Sequence, residues 1–405
     1  MPRPLLPVDE ALARVLNGVE PLEIEVVGLA DALGRVLAIA PHARRSQPPF
    51  SGSAMDGYAV RGADATAGAE LRLIGESAAG HAFAGTLGAG ETVRIFTGAP
   101  LPEGADAVLI QEDAEVDGNR VRVVEATTAG RHVRGVGIDF REAEAPLQPG
   151  RVLSPRDLGL AAAMGFADLH VRRRPRVAVL ATGDELVPPG EAPGPHQIIA
   201  SSAVAISGLV AAEGGAPIGL GIVRDDPKAL EQALAKATDA GAEVLVTLGG
   251  ASVGDYDLVQ EALKAWGATL DFWQIAMRPG KPMMFGRHAG LRILGLPGNP
   301  VSTHVCAILF LRPLLRALLG RPDVENPIED AVLGADVGEN DRRQDYLRAR
   351  LVAQDEGVVA VPFPSQDSSL SKPLALADCL VIRPPFAPAA AAGEPCRIIR
   401  LDSRV

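Results

Sequence analysis

The 405-residue sequence predicts a multi-domain protein of α/β and β structure, in which a central doubly wound α/β domain is flanked by β-rich modules. Three observations favour this fold class. Strand-like runs alternate with helical segments over residues 175–322, which is typical of a parallel sheet covered by helices. Short apolar runs broken by Gly, Pro and Asp fill residues 48–137 and 323–405. The length also exceeds the roughly 250 to 300 residues that one hydrophobic core supports.

A discontinuous domain is predicted to link these parts. The chain begins with a predicted helix at residues 8–18, for which Asp9 is the predicted N-cap, and a second helix at 152–165 starts at Ser154. Segments rich in Pro, Gly and charge flank the first β-rich module, which indicates an insertion. The predicted boundaries are 1–47 and 138–174 for the linking domain, 48–137 for the inserted β-rich domain, 175–322 for the α/β domain and 323–405 for a C-terminal β domain.

The central domain alternates strands and helices at the spacing of βαβ units. Ligands of such sheets bind beyond the carboxyl ends of the strands. Strands are predicted at 176–182, 217–223, 243–248 and 269–275, helices at 201–213, 227–240, 257–266 and from 300, and a hairpin at 283–285 with 291–294.

Three glycine-rich turns with acids or hydroxyls follow strands of this sheet: ATGDEL (181–186), GGASVGDYD (249–257) and LPGNPVS (296–302). Backbone amides at such turns hold phosphate oxygens, and neighbouring carboxylates hold the Mg²⁺ that neutralises them. Each turn alone is also compatible with an ordinary strand-to-helix connection and solvated acids. Their coincidence at one sheet edge favours an enzyme that acts on an anionic, phosphorylated ligand.

Single residues near these turns suggest specific contacts. Asn299 is predicted to cap the helix that begins at Pro300, and Ser302 adds a hydroxyl beside its free amides. In MRPGKP, Arg278 and Lys281 are placed to meet one oxyanion, the arginine by a fork and the lysine as a point charge. A surface salt-bridge loop is the alternative for this segment.

Composition and missing motifs exclude several functions. Acidic residues outnumber basic ones by 50 to 39, so no nucleic-acid partner is predicted. The sequence has no Walker A motif, no GxGxxG after a strand and no HxxxH or HExxH pair. The three cysteines show no CxxC spacing, which favours reduced structural thiols. No signal peptide is readable, and VCAILFLRPLLRALL falls short of the ~20 residues that span a bilayer, so a cytoplasmic protein without a membrane partner is expected.

Seven motifs in fixed order resemble the molybdopterin molybdenumtransferase family, which includes the bacterial MoeA proteins and the gephyrin E domain. They are SAMDGYAV, FTGAPLPEGADAV, ATGDEL, GIVRDD, GGASVGDYD, RPGKP and LPGNPVS. The resemblance implies an elongated homodimer of four-domain subunits, with a molybdopterin-binding-like α/β domain facing the partner's β-rich module and a small C-terminal β-barrel. It also implies a Mg²⁺-dependent reaction of adenylylated molybdopterin with molybdate that yields molybdenum cofactor and AMP.

The same resemblance assigns functional residues by motif position. The implied catalytic residues are Asp56, Thr97, Asp139, Glu185 and Asp257, and Asp56 is expected to reach across the dimer. The implied Mg²⁺ ligands are Glu185, Asp257 and one of Asp225 and Asp226, taken as Asp226. The implied substrate-binding residues are Gly249, Gly250, Ser252, Gly254, Arg278, Lys281, Pro282, Gly298, Asn299, Pro300, Ser302 and Arg343.

Two other functions remain open at this point. Molybdopterin adenylyltransferase uses the same α/β domain type, but it needs neither the insertion nor the C-terminal domain. A non-catalytic scaffold like the gephyrin E domain would need an exposed apolar groove for a peptide. Implied transient partners are the adenylyltransferase and the molybdoenzymes or their chaperones. The chain departs from the family pattern at Ala200, Ser202, Gln366 and Ser368.

Overall fold

The computed structural model describes residues 5–249, 258–354 and 357–401. The chain begins with α1 (Val8–Leu16) and β1 (Ile24–Gly28), followed by a 3₁₀ turn at Leu29–Asp31. Helix α1 buries Val8, Ala11 and Val15, one apolar stripe at helical spacing. The N-cap prediction for Asp9 was wrong, because Pro7 takes that position. Asp9 lies in the first turn, where the helix dipole favours an acidic side chain.

The inserted region is built from strands, as predicted. They are β2 (Gly52–Ser53), β3 (Gly57–Val60), β4 (Glu70–Ser77), β5 (Glu91–Ile95), β6 (Ala107–Ile110), β7 (Ala114–Asp117), β8 (Arg120–Val123) and β9 (Val133–Arg134), with a 3₁₀ turn at Gln111–Asp113. Six strands form a sheet in the order β6-β3-β5-β4-β8-β7, and β2 pairs with β9. Alternate residues of β3 enter separate apolar clusters, with Tyr58 and Val60 in one and Ala59 in the other.

The chain then returns to the linking region through α2 (Pro155–Ala163) and β10 (Asp168–Arg172). Strand β10 pairs antiparallel with β1, so residues separated by 140 or more positions form one ladder. Ser154 caps α2 as predicted. Its side chain accepts from the Asp157 N–H, and the Asp157 carboxylate accepts from the Ser154 N–H, which completes a capping box.

The central region alternates strands and helices. Its elements are β11 (Arg176–Thr182), β12 (Leu186–Val187), β13 (Ile198–Ile199), α3 (Ser201–Ala212), β14 (Ala216–Val223), α4 (Pro227–Asp239), β15 (Val244–Leu248), α5 (Leu258–Ala265), β16 (Thr269–Phe272), β17 (Met277–Arg278), β18 (Met284–His288), β19 (Leu291–Leu296), α6 (Pro300–Cys306), a π-helical segment at Ala307–Leu311, and α7 (Arg312–Leu318). The sheet order is β14-β11-β15-β19-β18-β16, parallel through β19 and antiparallel beyond it. The strand predicted at 269–275 ends at Phe272.

Helices cover both faces of this sheet, which confirms the doubly wound prediction. Val177, Val179 and Val246 point to a cluster that includes residues of α3 and α6. Ala178 and Leu245 point to the opposite cluster, with residues of α4 and α5. Burial on both faces explains why these strands are continuous apolar runs.

The helix that follows the last parallel strand is a core element. One helix of the described residues, Pro300–Leu318, is long and apolar enough to cross a membrane. Of its most apolar 18 residues, 89% are buried within the protein. The sequence analysis took only part of this helix, VCAILFLRPLLRALL, as the apolar segment and so underestimated its length. Arg312 and Arg316, which interrupt its apolar run, are buried beside Glu213 and pair with it at 2.9 Å.

The C-terminal region folds into a closed barrel. Its elements are β20 (Glu329–Leu333), β21 (Gln344–Gln354), β22 (Gly357–Pro362), α8 (Ser371–Ala375), β23 (Cys379–Arg383) and β24 (Pro395–Arg400). The strands follow the order β21-β22-β20-β24-β23, and β23 pairs again with β21 to close the ring. Strand β17 of the central region adds to β21 in parallel. This confirms the predicted fold class, while the residue boundaries between domains stay predictions.

Candidate functional site

A cavity of about 600 Å³ lies where the central sheet meets the C-terminal barrel. The turns after β11 and β19 and Gly249 at the end of β15 provide one part of its wall, the turn after β17 a second, and the barrel a third. The lining residues are Thr182, Gly183, Glu185, Asp225, Gly249, Leu258, Val259, Met277, Arg278, Pro279, Gly280, Lys281, Pro282, Pro297, Gly298, Asn299, Ser302, Arg343, Gln366 and Ser368. Residues of the ATGDEL and LPGNPVS turns and Gly249 of the third turn therefore line one site, as the parallel topology requires. Residues 250–257 of that third turn lie outside the described residues.

Glycine allows the backbone to approach closely at this edge. Gly249 has a φ of +97°, and a Cβ there would lie 2.7 Å from the carbonyl oxygen of Thr182. Thr182 is buried, and its hydroxyl donates to the Leu248 carbonyl at 3.3 Å. Two neighbouring strand ends are thus fixed together directly beneath the cavity.

Two carboxylates of the described residues line the cavity, Glu185 and Asp225. Burial raises the pKa of Asp225, and the negative charges of Asp184 and Glu185 raise it further. Such mutual repulsion is the electrostatic setting that a bound cation would relieve.

Asp226, the predicted metal ligand, takes a structural position. The Asp226 carboxylate accepts from the Ala229 N–H at 2.9 Å and caps α4, and the residue does not line the cavity. Of this acidic pair, Asp225 reaches the site.

The cations of the cavity differ in how they are engaged. The Arg278 guanidinium donates to both carboxylate oxygens of Asp345, with Nε to Oδ1 at 2.7 Å, which raises the arginine pKa. Arg343 donates to Asp341 at 2.6 Å. No hydrogen bond or ion pair joins the Lys281 ammonium to another residue within the described ranges. The fork that was expected to hold a ligand oxyanion is therefore already used by Arg278 on Asp345. Among the described residues that line the cavity, Lys281 is the cation without an acidic partner.

Helix α6 presents its first turn to the cavity, and Asn299 holds its N-cap position as predicted, but the Asn299 side chain makes no capping bond. The Asn299 Nδ2 donates to Ser368 Oγ at 3.0 Å, and the Val301 N–H donates to the Ser368 carbonyl at 3.1 Å. The barrel thus meets the helix end where a side-chain cap was expected. Ser302 is buried and lines the cavity, whereas Pro300 lines a smaller neighbouring cavity of about 310 Å³.

The turn of the barrel that carries Gln366 and Ser368 was not among the predicted site residues. Gln366 accepts from the Arg348 N–H at 2.9 Å and donates to the carbonyls of Arg348 and Phe363 at 3.0 and 2.9 Å. Arg348 is 1% exposed, its pKa is lowered by burial, and its Nη2 donates to the Asp367 carbonyl. These contacts fix Ser368 at the cavity. The departure from the family pattern at 366 and 368 was the only sequence signal for them.

Three predicted catalytic residues lie away from this cavity within the same chain. Asp56 accepts from the Thr97 N–H at 2.7 Å and from its hydroxyl at 2.8 Å, and these bonds lower the Asp56 pKa. Asp139 is exposed beside the insertion. Asp56 and Thr97 are therefore in direct contact, but within one subunit they do not line the cavity.

Four predicted residues lie outside the described residues: Gly250, Ser252, Gly254 and Asp257. Among the described residues there is no group of three or more His, Cys, Asp or Glu side chains that could hold a metal ion. Mg²⁺ in phosphate-handling sites is held by one or two carboxylates together with water and substrate oxygens. The pair Glu185 and Asp225 fits that requirement.

Comparisons with known proteins agree with this architecture. Family models match three consecutive stretches: “MoeA N-terminal region (domain I and II)” at residues 6–165, “Probable molybdopterin binding domain” at 178–317, and “MoeA C-terminal region (domain IV)” at 330–401. A molybdopterin molybdenumtransferase of Nostoc sp. is 36% identical over 334 residues, which cover 80% of this chain and 76% of the relative. Molybdopterin molybdenumtransferase 2 of Mycobacterium tuberculosis is 36% identical over 369 residues, covering 88% and 90%.

The chain belongs to the molybdopterin molybdenumtransferase family. Two solved structures of the molybdopterin biosynthesis MoeA protein from Pyrococcus horikoshii have TM-scores of 0.86 and 0.83 to it, at 31% and 26% identity. They cover 99% and 98% of this chain and 100% of each solved chain. The family predicted from the seven motifs is confirmed. The cavity of this molybdopterin molybdenumtransferase lies between residues 178–317, matched as the probable molybdopterin binding domain, and residues 330–401, matched as domain IV.

Proposed function

We propose that this transferase inserts molybdate into adenylylated molybdopterin, with cleavage of the adenylate and release of AMP. Membership of the molybdopterin molybdenumtransferase family supports the coarser statement, transfer of molybdenum to molybdopterin. The observation that carries the finer proposal is the composition of one cavity. It combines acids suited to a metal-neutralised phosphate with a lysine and hydroxyls suited to a compact oxyanion.

Molybdate is assigned to the part of the cavity around Lys281. The lysine ammonium provides up to three donors without a competing partner among the described residues. Ser302 adds a hydroxyl at the start of α6, where the helix dipole favours an anion. Ser368 Oγ already accepts from Asn299, so its own O–H can be donated to a ligand oxygen. Pro282 and Gly298 complete this wall without a side-chain charge.

Glu185 and Asp225 are assigned to the phosphate side, where they would hold Mg²⁺. When bound, the ion neutralises phosphate oxygens and stabilises the leaving adenylate. The role of these two residues is to place a divalent ion at the strand ends. Asp257 keeps its predicted part in this site.

A homodimer is proposed because Asp56 and Thr97 do not line the cavity of their own chain. Asp56 is exposed, and the Thr97 hydroxyl and N–H hold its carboxylate in one orientation. Docking of the inserted region of one subunit onto the central domain of its partner would bring this oriented acid to the site. Asp139, exposed at the base of the insertion, would lie at the same junction.

The proposal is tested with purified protein, adenylylated molybdopterin, molybdate and Mg²⁺. AMP release and formation of molybdenum cofactor are expected together. Both should stop in Lys281→Ala, because this variant lacks the ammonium group to which we assign molybdate binding. The matched control is Lys264→Ala, because Lys264 is exposed on α5 and does not line the cavity. Equal loss in both variants, or unchanged turnover in Lys281→Ala, would contradict the assignment.

The same protein is then incubated with molybdopterin, ATP and Mg²⁺. Formation of adenylylated molybdopterin by this chain alone would favour the adenylyltransferase alternative. Capture of a stable peptide by a protein without insertase activity would favour the scaffold. The proposed setting is the cytoplasm, where an adenylyltransferase would supply the substrate and molybdoenzymes or their chaperones would take the product.

A further inference from the structure

The turn that carries Lys281 rests on a buried sulfur atom. Gly280 has a φ of +113°, a conformation that side-chain-bearing residues rarely adopt. A Cβ at this position would lie 2.5 Å from Cys306 Sγ and 2.9 Å from Met277 Cε. The backbone of the turn is therefore packed directly on the thiol.

Cys306 lies one helical turn beyond Ser302 on α6 and is completely buried. Its Sγ donates to the Gly280 carbonyl at 3.8 Å. On the other side of the turn, the Lys281 carbonyl accepts from the Ile275 N–H at 3.1 Å. One helix thus presents a cavity hydroxyl and also supports the segment that bears the available cation.

We infer that Cys306 is a positioning residue, which sets the separation of Lys281 from Ser302 and thereby the affinity of the cavity for a tetrahedral oxyanion. This inference rests on the proposed function, because it concerns the part of the cavity assigned to molybdate. The thiol takes no covalent part. Burial raises its pKa and keeps it protonated, and it touches the turn rather than the cavity.

The size of the Cys306 side chain determines where the turn lies. Interiors are close-packed, so the loss of one heavy atom beneath Gly280 leaves a gap that the turn can partly fill. Movement of the turn towards α6 displaces the Lys281 ammonium, while Ser302 stays fixed by the helix. An error of about 1 Å between two groups that hold one small ion lowers affinity strongly. Serine would keep a donor, but its shorter bond to Cβ would restore the contact only in part.

The experiment compares Cys306→Ala with Cys379→Ala. Cys379 is the matched control because it is also fully buried, and its Sγ also donates to a backbone carbonyl, that of Ala349, at 3.8 Å. It lies in the barrel core, away from the cavity. Molybdate alone is titrated calorimetrically into each full-length protein, and turnover of adenylylated molybdopterin is measured over a range of molybdate concentrations.

For Cys306→Ala, we expect the Kd for molybdate and the KM for molybdate to rise about tenfold, with kcat at saturating molybdate close to wild type. For Cys306→Ser, the Kd and KM for molybdate should lie between those of the wild type and those of Cys306→Ala. Cys379→Ala should match the wild type in Kd and KM, whatever its loss of thermal stability. Equal molybdate affinity in wild type and Cys306→Ala, or an equal change in Cys379→Ala, would overturn the inference.

The failure of this inference can be separated from that of the proposed function. If wild-type protein binds no molybdate and makes no cofactor, the proposed function fails. If the wild type does both and Cys306→Ala is unchanged, only the positioning role fails. Should Cys306→Ala not fold, Cys306→Ser decides the question by the same two measurements.

Discussion

Two adjacent aspartates show how one residue step separates a structural role from a functional one. Asp225 lines the cavity, where burial and neighbouring acids raise its pKa. Asp226 turns the other way and caps α4 through the Ala229 N–H. The two side chains have the same chemistry, and both follow the end of β14 at Val223. Their roles differ because Asp226 holds the N-cap position of α4, whereas Asp225, one residue earlier, lies in the connection that lines the cavity.

This difference predicts opposite results for two identical substitutions. Asp225→Asn removes a negative charge that we propose binds Mg²⁺. The rate of cofactor formation should therefore fall at least about tenfold, and half-maximal activity should require a higher Mg²⁺ concentration. Asp226→Asn should leave both activity and stability near wild type, because asparagine caps helices as well as aspartate does. Activity measured against Mg²⁺ concentration checks both variants, and greater damage from Asp226→Asn would reverse the assignment.

The bond between Asp56 and Thr97 gives a pH-dependent prediction. The Thr97 N–H and hydroxyl lower the Asp56 pKa in the folded protein. A lowered folded-state pKa stabilises the protein above the ordinary aspartate value of about 3.9, and this contribution is lost as pH falls through the folded-state pKa. Thr97→Val removes the hydroxyl bond, so the Asp56 pKa should rise towards its ordinary range. NMR titration of the Asp56 carboxyl measures this, and an unchanged midpoint would show that the hydroxyl bond has no effect.

At the scale of elements, the junction between β17 and β21 joins two regions of the chain. Met277 pairs with Gln344 and Arg278 with Asp345 in a short parallel ladder. The Arg278 guanidinium adds a fork onto Asp345, whose carboxylate is nearly inaccessible to solvent. The barrel is thereby fixed to the turn that carries Lys281.

Removal of the charge at Asp345 should weaken this junction. We expect Asp345→Asn to lower the free energy of unfolding by about 1.5 to 3 kcal/mol, the range for hydrogen bonds to charged groups. The control is Glu70→Gln, because its pair with Arg120 is 62% and 73% exposed and should contribute less than about 1 kcal/mol. Urea unfolding of both variants provides the comparison. A loss no larger than that of Glu70→Gln would mean that the backbone ladder alone holds the barrel.

Elements were predictable from sequence where local signals decide them. The apolar run of β11 and the spacing of Leu230, Ala233, Leu234 and Ala237 in α4 needed no tertiary information. The site was predictable as a set of turns, because parallel strands bring their ends together. The partners of Arg278 and Asn299 were not, since both come from the barrel, which is distant in sequence. Local chemistry favoured a free fork and a helix cap, and docking of the barrel replaced both.

At the scale of the whole molecule, the proposed active site is composite. Lys281, Glu185 and Asp225 line one cavity, whereas Asp56 and Thr97 lie elsewhere in the same chain. A dimer with twofold symmetry would form two equal sites, each with an inserted region from one subunit and a cavity from the other.

Subunit mixing tests this arrangement directly. Asp56→Ala and Lys281→Ala should each be inactive alone, but a mixed dimer contains one site with both residues intact. Random mixing at equal amounts should recover roughly a quarter of wild-type activity, since half the dimers are mixed and each has one good site. Lys281→Ala mixed with Glu185→Gln is the control and should recover none, because both residues belong to the same cavity. Absence of recovery in the first mixture would place Asp56 outside the site.

Strand β17, which follows the central sheet in the chain but pairs with β21 of the barrel, also limits how the cavity can open. Main-chain bonds cross this seam, including Gln344 N–H to the Ala276 carbonyl at 2.8 Å. The cleft therefore cannot swing open along that side without breaking a ladder. If the proposed reaction takes place here, substrate and AMP would have to pass on a side of the cavity other than this seam, and in the proposed dimer the partner's inserted region could cover that side.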